Sequence, residues 1–236
     1  MAQHGGIPIR FPTVEIKIID PGNIIEKIKT ADFIIFLSPN GVTTALPFCT
    51  ELLNQARARF KLLAVGPSTA QALADHHFTV DHLPRTEFNS EGLSALPILQ
   101  AIEKKNGLIF QGEKGRSHLA EVLTQRGAHI ERITTYQRIC PSVLDSSLPL
   151  VDQVDILLGT STTGIENLVT LLYPYWKSAL FEKPLVVVSP RVAQFSQQIG
   201  FVKKPLIADN ASDQAILHCL FSYTEKSLWN LSPNKK

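Results

Sequence analysis

The chain has no long uninterrupted apolar run. No stretch approaches the roughly 18 apolar residues that a membrane span needs. The N-terminus lacks a basic segment followed by an apolar one, so no secretory signal is visible. Cysteine is scarce. Cys49, Cys140 and Cys219 are far apart and odd in number, which excludes a disulfide framework and any metal-ligand spacing. They predict reduced, mostly buried thiols in a cytoplasmic protein. An excess of one charge is also missing: 23 Lys and Arg face 21 Asp and Glu, a net charge of +2. The basic residues are scattered, and pairs such as Lys203-Lys204 form only short clusters. That balance argues against nucleic acid as a partner.

Familiar catalytic signatures are absent too. There is no Gly-x-Gly-x-x-Gly for a dinucleotide and no Gly-x4-Gly-Lys-Ser/Thr for a nucleoside phosphate. There is no Gly-x-Ser-x-Gly elbow for a hydrolase, and no convincing carboxylate pair for acid–base work. His76, His77 and His82 lie close in sequence, but without a companion Cys or Asp cluster they read as a solvated loop rather than a metal site.

What the chain does have is an internal repeat. Asp32-Phe-Ile-Ile-Phe-Leu-Ser38-Pro-Asn-Gly41 returns as Asp155-Ile-Leu-Leu-Gly-Thr-Ser161-Thr-Thr-Gly164. The same spacing carries Leu62-Leu-Ala-Val65-Gly-Pro67 onto Leu185-Val-Val-Val188-Ser-Pro190, Phe78 onto Phe201 and Leu83 onto Leu206. An ungapped match of this kind predicts two copies of one α/β unit with a cleft between two similar lobes.

Short apolar runs ending in Ser, Gly or Pro read as buried parallel strands and their exit turns. They are Ile34–Leu37, Leu62–Val65 and Leu108–Phe110 in the first half. Helices are predicted from about Val42 to Ala58, from Pro67, from Ser90 with Ser90 as N-cap, and from Ser117 to Arg126 with Gly127 as the stop. Thr79-Val80 and His82-Leu83 read as a further strand edge, and Ile130–Tyr136 as a strand. The alternation implies βαβ units with helices on both sheet faces.

A second comparison concerns the beginning. Gln3, Gly5, Arg10 and Thr13 resemble Gln125, Gly127, Arg132 and Thr135. Met1 then falls within a helix of the complete copy. The repeat therefore predicts a preceding strand and most of a helix, roughly 25 residues, ahead of Met1.

The series Phe36-Leu-Ser-Pro-Asn-Gly-Val42, Ala64-Val-Gly-Pro-Ser-Thr-Ala70, Ser90-Glu-Gly-Leu93, Gly127-Ala-His-Ile130, Tyr136-Gln-Arg138, Thr160-Ser-Thr162, Asn167-Leu168 and Val188-Ser-Pro-Arg-Val-Ala193 resembles the uroporphyrinogen-III synthases from about Gly5 to Leu220. The resemblance implies a two-lobed α/β enzyme with a two-stranded linker and the active cleft between the lobes. A central lobe would span 17–134. A discontinuous terminal lobe would combine 1–16 with 135–225, lacking its first strand and helix, and 226–236 would be a tail. Such enzymes are lyases of haem and sirohaem biosynthesis. They cyclise hydroxymethylbilane, a linear tetrapyrrole, to uroporphyrinogen III with loss of water and inversion of ring D, using no cofactor and no metal. The implied partners are this substrate and, by functional coupling, hydroxymethylbilane synthase. The protein would be a cytoplasmic monomer.

The resemblance singles out Tyr136 as the catalytic residue, its phenol hydrogen-bonding the departing hydroxyl. Gln137 stands where a basic residue is frequent in the family, which weakens a carboxylate contact there. Substrate carboxylates would meet Ser38, Thr69, Ser161, Ser189 and Arg191. These sit at the strand-to-helix turns, where backbone N–H groups favour anions. Lys114 and Arg116 occupy the Gly-flanked turn Gly112-Glu-Lys-Gly115. Each also has a plainer reading: the serines as turn or cap residues, Thr69 as a helix residue bonding its own backbone, the cations as solvated side chains, and Tyr136 as a hinge anchor. Two other functions fit the pattern: a two-lobed small-anion-binding protein, and a truncated, inactive synthase.

Overall fold

A computed structural model describes residues 6–142, 148 and 151–228. Its contacts divide the chain into two compact units, Ile16–Ile139 and Met1–Glu15 with Cys140–Lys236. Each is α/β, with a parallel sheet flanked by helices.

The first unit holds a five-stranded sheet. Its strands are β1 (Glu15–Ile18), β2 (Phe33–Phe36), β3 (Lys61–Ala64), β4 (Asn106–Gly112) and β5 (His129–Ile139). Their order is β1-β5-β4-β2-β3, and β5-β4-β2-β3 are mutually parallel. Every residue of β2 is buried, as a strand covered on both faces requires. Side-chain alternation sorts the core. Ile34, Phe36, Leu62, Leu108 and Phe110 pack under α1 (Ile25–Thr30), α2 (Pro39–Ala56) and α3 (Pro67–Ala74). Phe33, Ile35, Leu63 and Ile109 pack under α4 (Ser90–Ser94), a 3-10 turn at Pro97–Leu99 and α5 (His118–Gln125).

The second unit holds β6 (Leu157–Gly159), α6 (Thr162–Trp176), α7 (Ala179–Glu182), β7 (Leu185–Val187), α8 (Pro190–Gln198), β8 (Leu206–Ile207) and α9 (Asp213–Leu228). Its sheet is parallel, in the order β6-β7-β8. The repeat lands on these elements: β2, α2, β3 and α3 return as β6, α6, β7 and α8. One difference is telling. In the first unit β2 lies between β3 and β4, whereas β6 is an edge strand among the described residues. Ile35 on β2 is 0% exposed, and its repeat counterpart Leu158 on β6 is 46% exposed. Among the described residues, one face at that edge lacks the helical cover that α4 and α5 supply to β2.

Local chemistry corrects several expectations. Asn89, not Ser90, caps α4, its Oδ1 accepting the Gly92 N–H at 2.8 Å. The residues 79–83 form no extended strand; a single parallel bridge joins His82 to Leu63, with the Asp81 N–H bonded to the Leu62 carbonyl and the Ala64 N–H to the His82 carbonyl, and Arg57 and Asp81 add side-chain bonds. The helix expected over Ser117–Arg126 is α5, His118–Gln125. Of the three thiols only Cys49 is buried; Cys140 is exposed and Cys219 half-buried. Gly127 does end α5, at φ +84°, where a Cβ would be strained. Helix α9 continues beyond Tyr223 to Leu228, and the rest of the expected tail lies outside the described residues, as does the segment ahead of Gly6.

Candidate active site

The candidate residues of the first unit gather at the C-terminal edge of its sheet, where α/β proteins place ligands. Ser38 follows β2, Thr69 follows β3, and Lys114 and Arg116 follow β4. Ser38 is the N-cap of α2, and its Oγ accepts the Gly41 N–H at 3.0 Å. The same Oγ lies 3.0 Å from the Tyr136 hydroxyl. Either hydroxyl can donate across this contact, since the cap uses only one of the two lone pairs of Ser38. When Ser38 donates to the phenol oxygen, the Tyr136 proton is left available.

Tyr136 is 4% exposed. The hydroxyl end of its ring lies against Gly112: a Cβ there would fall 2.7 Å from Tyr136 Cζ. The Glu113 N–H bonds the Tyr136 carbonyl at 2.8 Å, so the turn after β4 is fastened to the strand carrying the phenol. The Arg138 guanidinium stands 5.6 Å from the centre of the Tyr136 ring. The sequence reading missed Arg138. Its signal was the period of two along a strand, which puts residues 136 and 138 on one side.

Gln111 and Arg132 were missed as well. Gln111 is 3% exposed. With its amide oriented by the hydrogen-bond network, Oε1 accepts from Arg132 Nη2 at 2.7 Å and Nε at 2.9 Å. Arg132 Nη2 also donates to the Gly115 carbonyl at 2.9 Å. This clamp holds the turn that presents Lys114 and Arg116, both exposed. Nothing in the one-dimensional pattern pairs a glutamine with an arginine on the next strand.

Thr69 sits in the first turn of α3, 0% exposed, and its Oγ1 has no hydrogen-bond partner. An unpaired buried hydroxyl costs about 1–3 kcal/mol. The helix has Gly66 at its N-cap and no side-chain cap. The equivalent turns before α2, α6 and α8 are all capped by serine. The glycine is explained by space, since a Cβ at Gly66 would fall 2.9 Å from Phe88 Cβ.

In the second unit Ser161 Oγ accepts the Gly164 N–H at 3.0 Å, and Ser189 Oγ the Val192 N–H at 3.4 Å. Both keep a free O–H. Arg191 lines a cavity of about 270 Å³ with Thr162, Glu166, Gln194, Phe195 and Gln198. Glu166 brings an opposing charge there, which weakens that cavity as a carboxylate site.

The thiols offer no nucleophile. Burial pushes Cys49 up to about 12, and burial also raises Cys140 and Cys219, the latter aided by Asp209. Thiolate chemistry needs the opposite shift. His76, His77 and His82 join no group of three or more His, Cys, Asp or Glu side chains able to hold a metal, among the described residues.

Fold and site together define a duplicated α/β protein whose parallel strands lead into helices capped by serine or glycine, with a part-buried serine–tyrosine pair at one of those turns. Comparison with known proteins makes this specific. The family described as uroporphyrinogen-III synthase HemD matches residues 1–218, and the chain belongs to that family. It is 29% identical over 231 residues to the uroporphyrinogen-III synthase of Escherichia coli K12, covering 92% of this chain and 91% of that protein. It is 34% identical over 166 residues to the Salmonella typhimurium LT2 enzyme of the same name, covering 68% and 66%. Its fold resembles uroporphyrinogen-III synthetase from Helicobacter pylori 26695, with a TM-score of 0.61 at 19% identity over 89% of this chain and 91% of that one. A mutant uroporphyrinogen III synthase from the extremely thermophilic bacterium Thermus thermophilus gives a TM-score of 0.56 at 17% identity, over 98% and 92%. The family is one of lyases.

Proposed function

We propose that this chain cyclises hydroxymethylbilane to uroporphyrinogen III, and that Tyr136 is its catalytic acid. The hydrogen-bonded Ser38–Tyr136 pair is the observation that carries the assignment of the acid. Water leaves the hydroxymethyl group of ring A, and an azafulvenium cation forms. The substituted carbon of ring D attacks it, and the spiro intermediate fragments and recloses with ring D inverted. The protein must fold a flexible polycarboxylate and assist departure of the hydroxyl. Tyr136 donates to that hydroxyl, and Ser38 donates to the phenol oxygen as its proton moves away.

The carboxylates of the substrate are the proposed ligands of the remaining residues. Thr69 Oγ1 and the uncapped first turn of α3 form one site. Lys114 and Arg116 approach others from the clamped turn. Taken by itself, the second unit offers Ser161, Ser189 and Arg191 as carboxylate ligands. Arg138 supplies the cationic charge that Gln137 does not. The same reading makes the Ile16–Ile139 unit the central lobe, five residues longer at its end than the 17–134 segment expected from the sequence because β5 runs on to Ile139, and the protein a cytoplasmic monomer supplied by hydroxymethylbilane synthase.

The test supplies hydroxymethylbilane and separates the type III product from the type I product that forms spontaneously. An excess of type III is expected. In Tyr136→Phe kcat should fall about 100-fold or more. Folded protein yielding only type I would sink the synthase reading; unchanged kcat in Tyr136→Phe would sink the acid role alone.

A further inference from the structure

We infer that Thr135 is a positioning residue, and that a β-bulge at this residue is what turns the Tyr136 hydroxyl onto Ser38. The inference rests on the proposed role of Tyr136. The register between β4 and β5 runs evenly from Asn106↔His129 to Gln111↔Thr134, then jumps to Gly112↔Tyr136. Thr135 is the extra residue. In a regular strand, neighbouring side chains point to opposite faces. Here both neighbours reach the α2 side of the sheet. The Thr135 hydroxyl lies 2.8 Å from Thr44 Oγ1 on α2, and the Tyr136 hydroxyl 3.0 Å from Ser38 Oγ at the N-cap of α2. Bulges re-aim side chains in this way.

The hydrogen-bond direction shows what holds the bulge. Thr44 Oγ1 donates to the Asn40 carbonyl at 2.6 Å. Its single proton is spent, so Thr135 donates to Thr44. The Thr135 carbonyl accepts the Ile19 N–H at 2.8 Å, which occupies its backbone on the β1 side. Thr135 is 0% exposed and Thr44 is 4% exposed, so water does not compete for this bond. The hydroxyl of Thr135 thereby latches the bulge to α2, the helix whose cap meets the phenol.

The experiment uses Thr135→Val, which keeps the side-chain volume, and Thr135→Ser, which keeps the hydroxyl. Each is measured for kcat and KM, alone and with Tyr136→Phe. The 13C resonance of Tyr136 Cζ reports the phenol hydrogen bond without reference to activity. Thr135→Val should lower kcat about tenfold at unchanged KM and move the Tyr136 resonance as Ser38→Ala does. Thr135→Ser should restore both. In the Tyr136→Phe background, Thr135→Val should lower kcat no further. An unmoved resonance in Thr135→Val overturns the positioning role, as does an equal loss of kcat in both backgrounds. If Tyr136→Phe keeps full activity while Thr135→Val still moves the resonance, the acid role fails and the positioning stands.

Discussion

Thr69 is where the residue scale separates folding from function. Its hydroxyl is buried without a partner, a cost the fold carries for no structural gain. Thr69→Val replaces that hydroxyl with a methyl group of similar size. Thermal unfolding should show the variant equal to or more stable than the parent, by up to about 1 kcal/mol. KM for hydroxymethylbilane should rise several-fold if a carboxylate is the missing partner. A stable variant with unchanged KM would remove Thr69 from the site. Single-residue chemistry of this sort was only half legible. Ser38, Ser161 and Ser189 stood out as turn serines, and all three prove to be caps. The reason Gly66 breaks the series lies in Phe88, twenty-two positions along the chain, and no local pattern reveals it.

The strands and helices themselves were largely legible. Apolar runs bounded by Ser, Gly and Pro marked β2, β3, β4, β6 and β7 within a residue or two, because burial on both faces leaves continuous hydrophobic stretches. The single-bridge segment 79–83, held by side-chain as well as backbone hydrogen bonds, was less legible. The segment 79–83 is fixed by Asp81, whose carboxylate accepts the Leu62 N–H at 2.7 Å and pairs with Arg57 at 2.9 Å. Burial alone would raise Asp81, but the Leu62 N–H and the Arg57 guanidinium outweigh it and hold it below the usual carboxylate range. Asp32 behaves alike at the start of β2: burial pushes up, while Lys105 and the Asn106 N–H pull it down further. A lowered folded-state value contributes stability above the unfolded value, near 3.9, and loses it as pH falls through the folded one. Asp81→Asn should therefore cost about 1 kcal/mol at pH 7, discounted for its partial exposure. The difference from the parent should shrink in denaturant titrations as pH falls below the unfolded carboxylate value and through the lower folded one. A pH-independent difference would assign the loss to packing.

Across the whole molecule, the two copies are not equally built. The sheet of the first unit is covered on both faces. In the second unit the face above Val186 is covered mainly by α9, and Leu158 stands open on β6. Opening energies follow buried apolar cover. Native-state amide exchange should therefore release β6–β8 before β2–β4; the reverse order would show that the open face carries no penalty. The duplication was visible in the sequence, and the strand and helix expected ahead of Met1 already marked the terminal lobe as the less complete copy; which strand stands at the edge was not visible, because it depends on which strand flanks which. The two units also differ in how they are threaded. Ile16–Ile139 is one continuous stretch, while its counterpart joins the first fifteen residues to everything after Ile139. On the ribosome, where domains fold as they emerge, the first unit is complete as soon as β5 has cleared the exit tunnel. Ser38 and Tyr136 can meet at that moment. The opening residues must wait for more than a hundred others to be synthesised before their own partners exist.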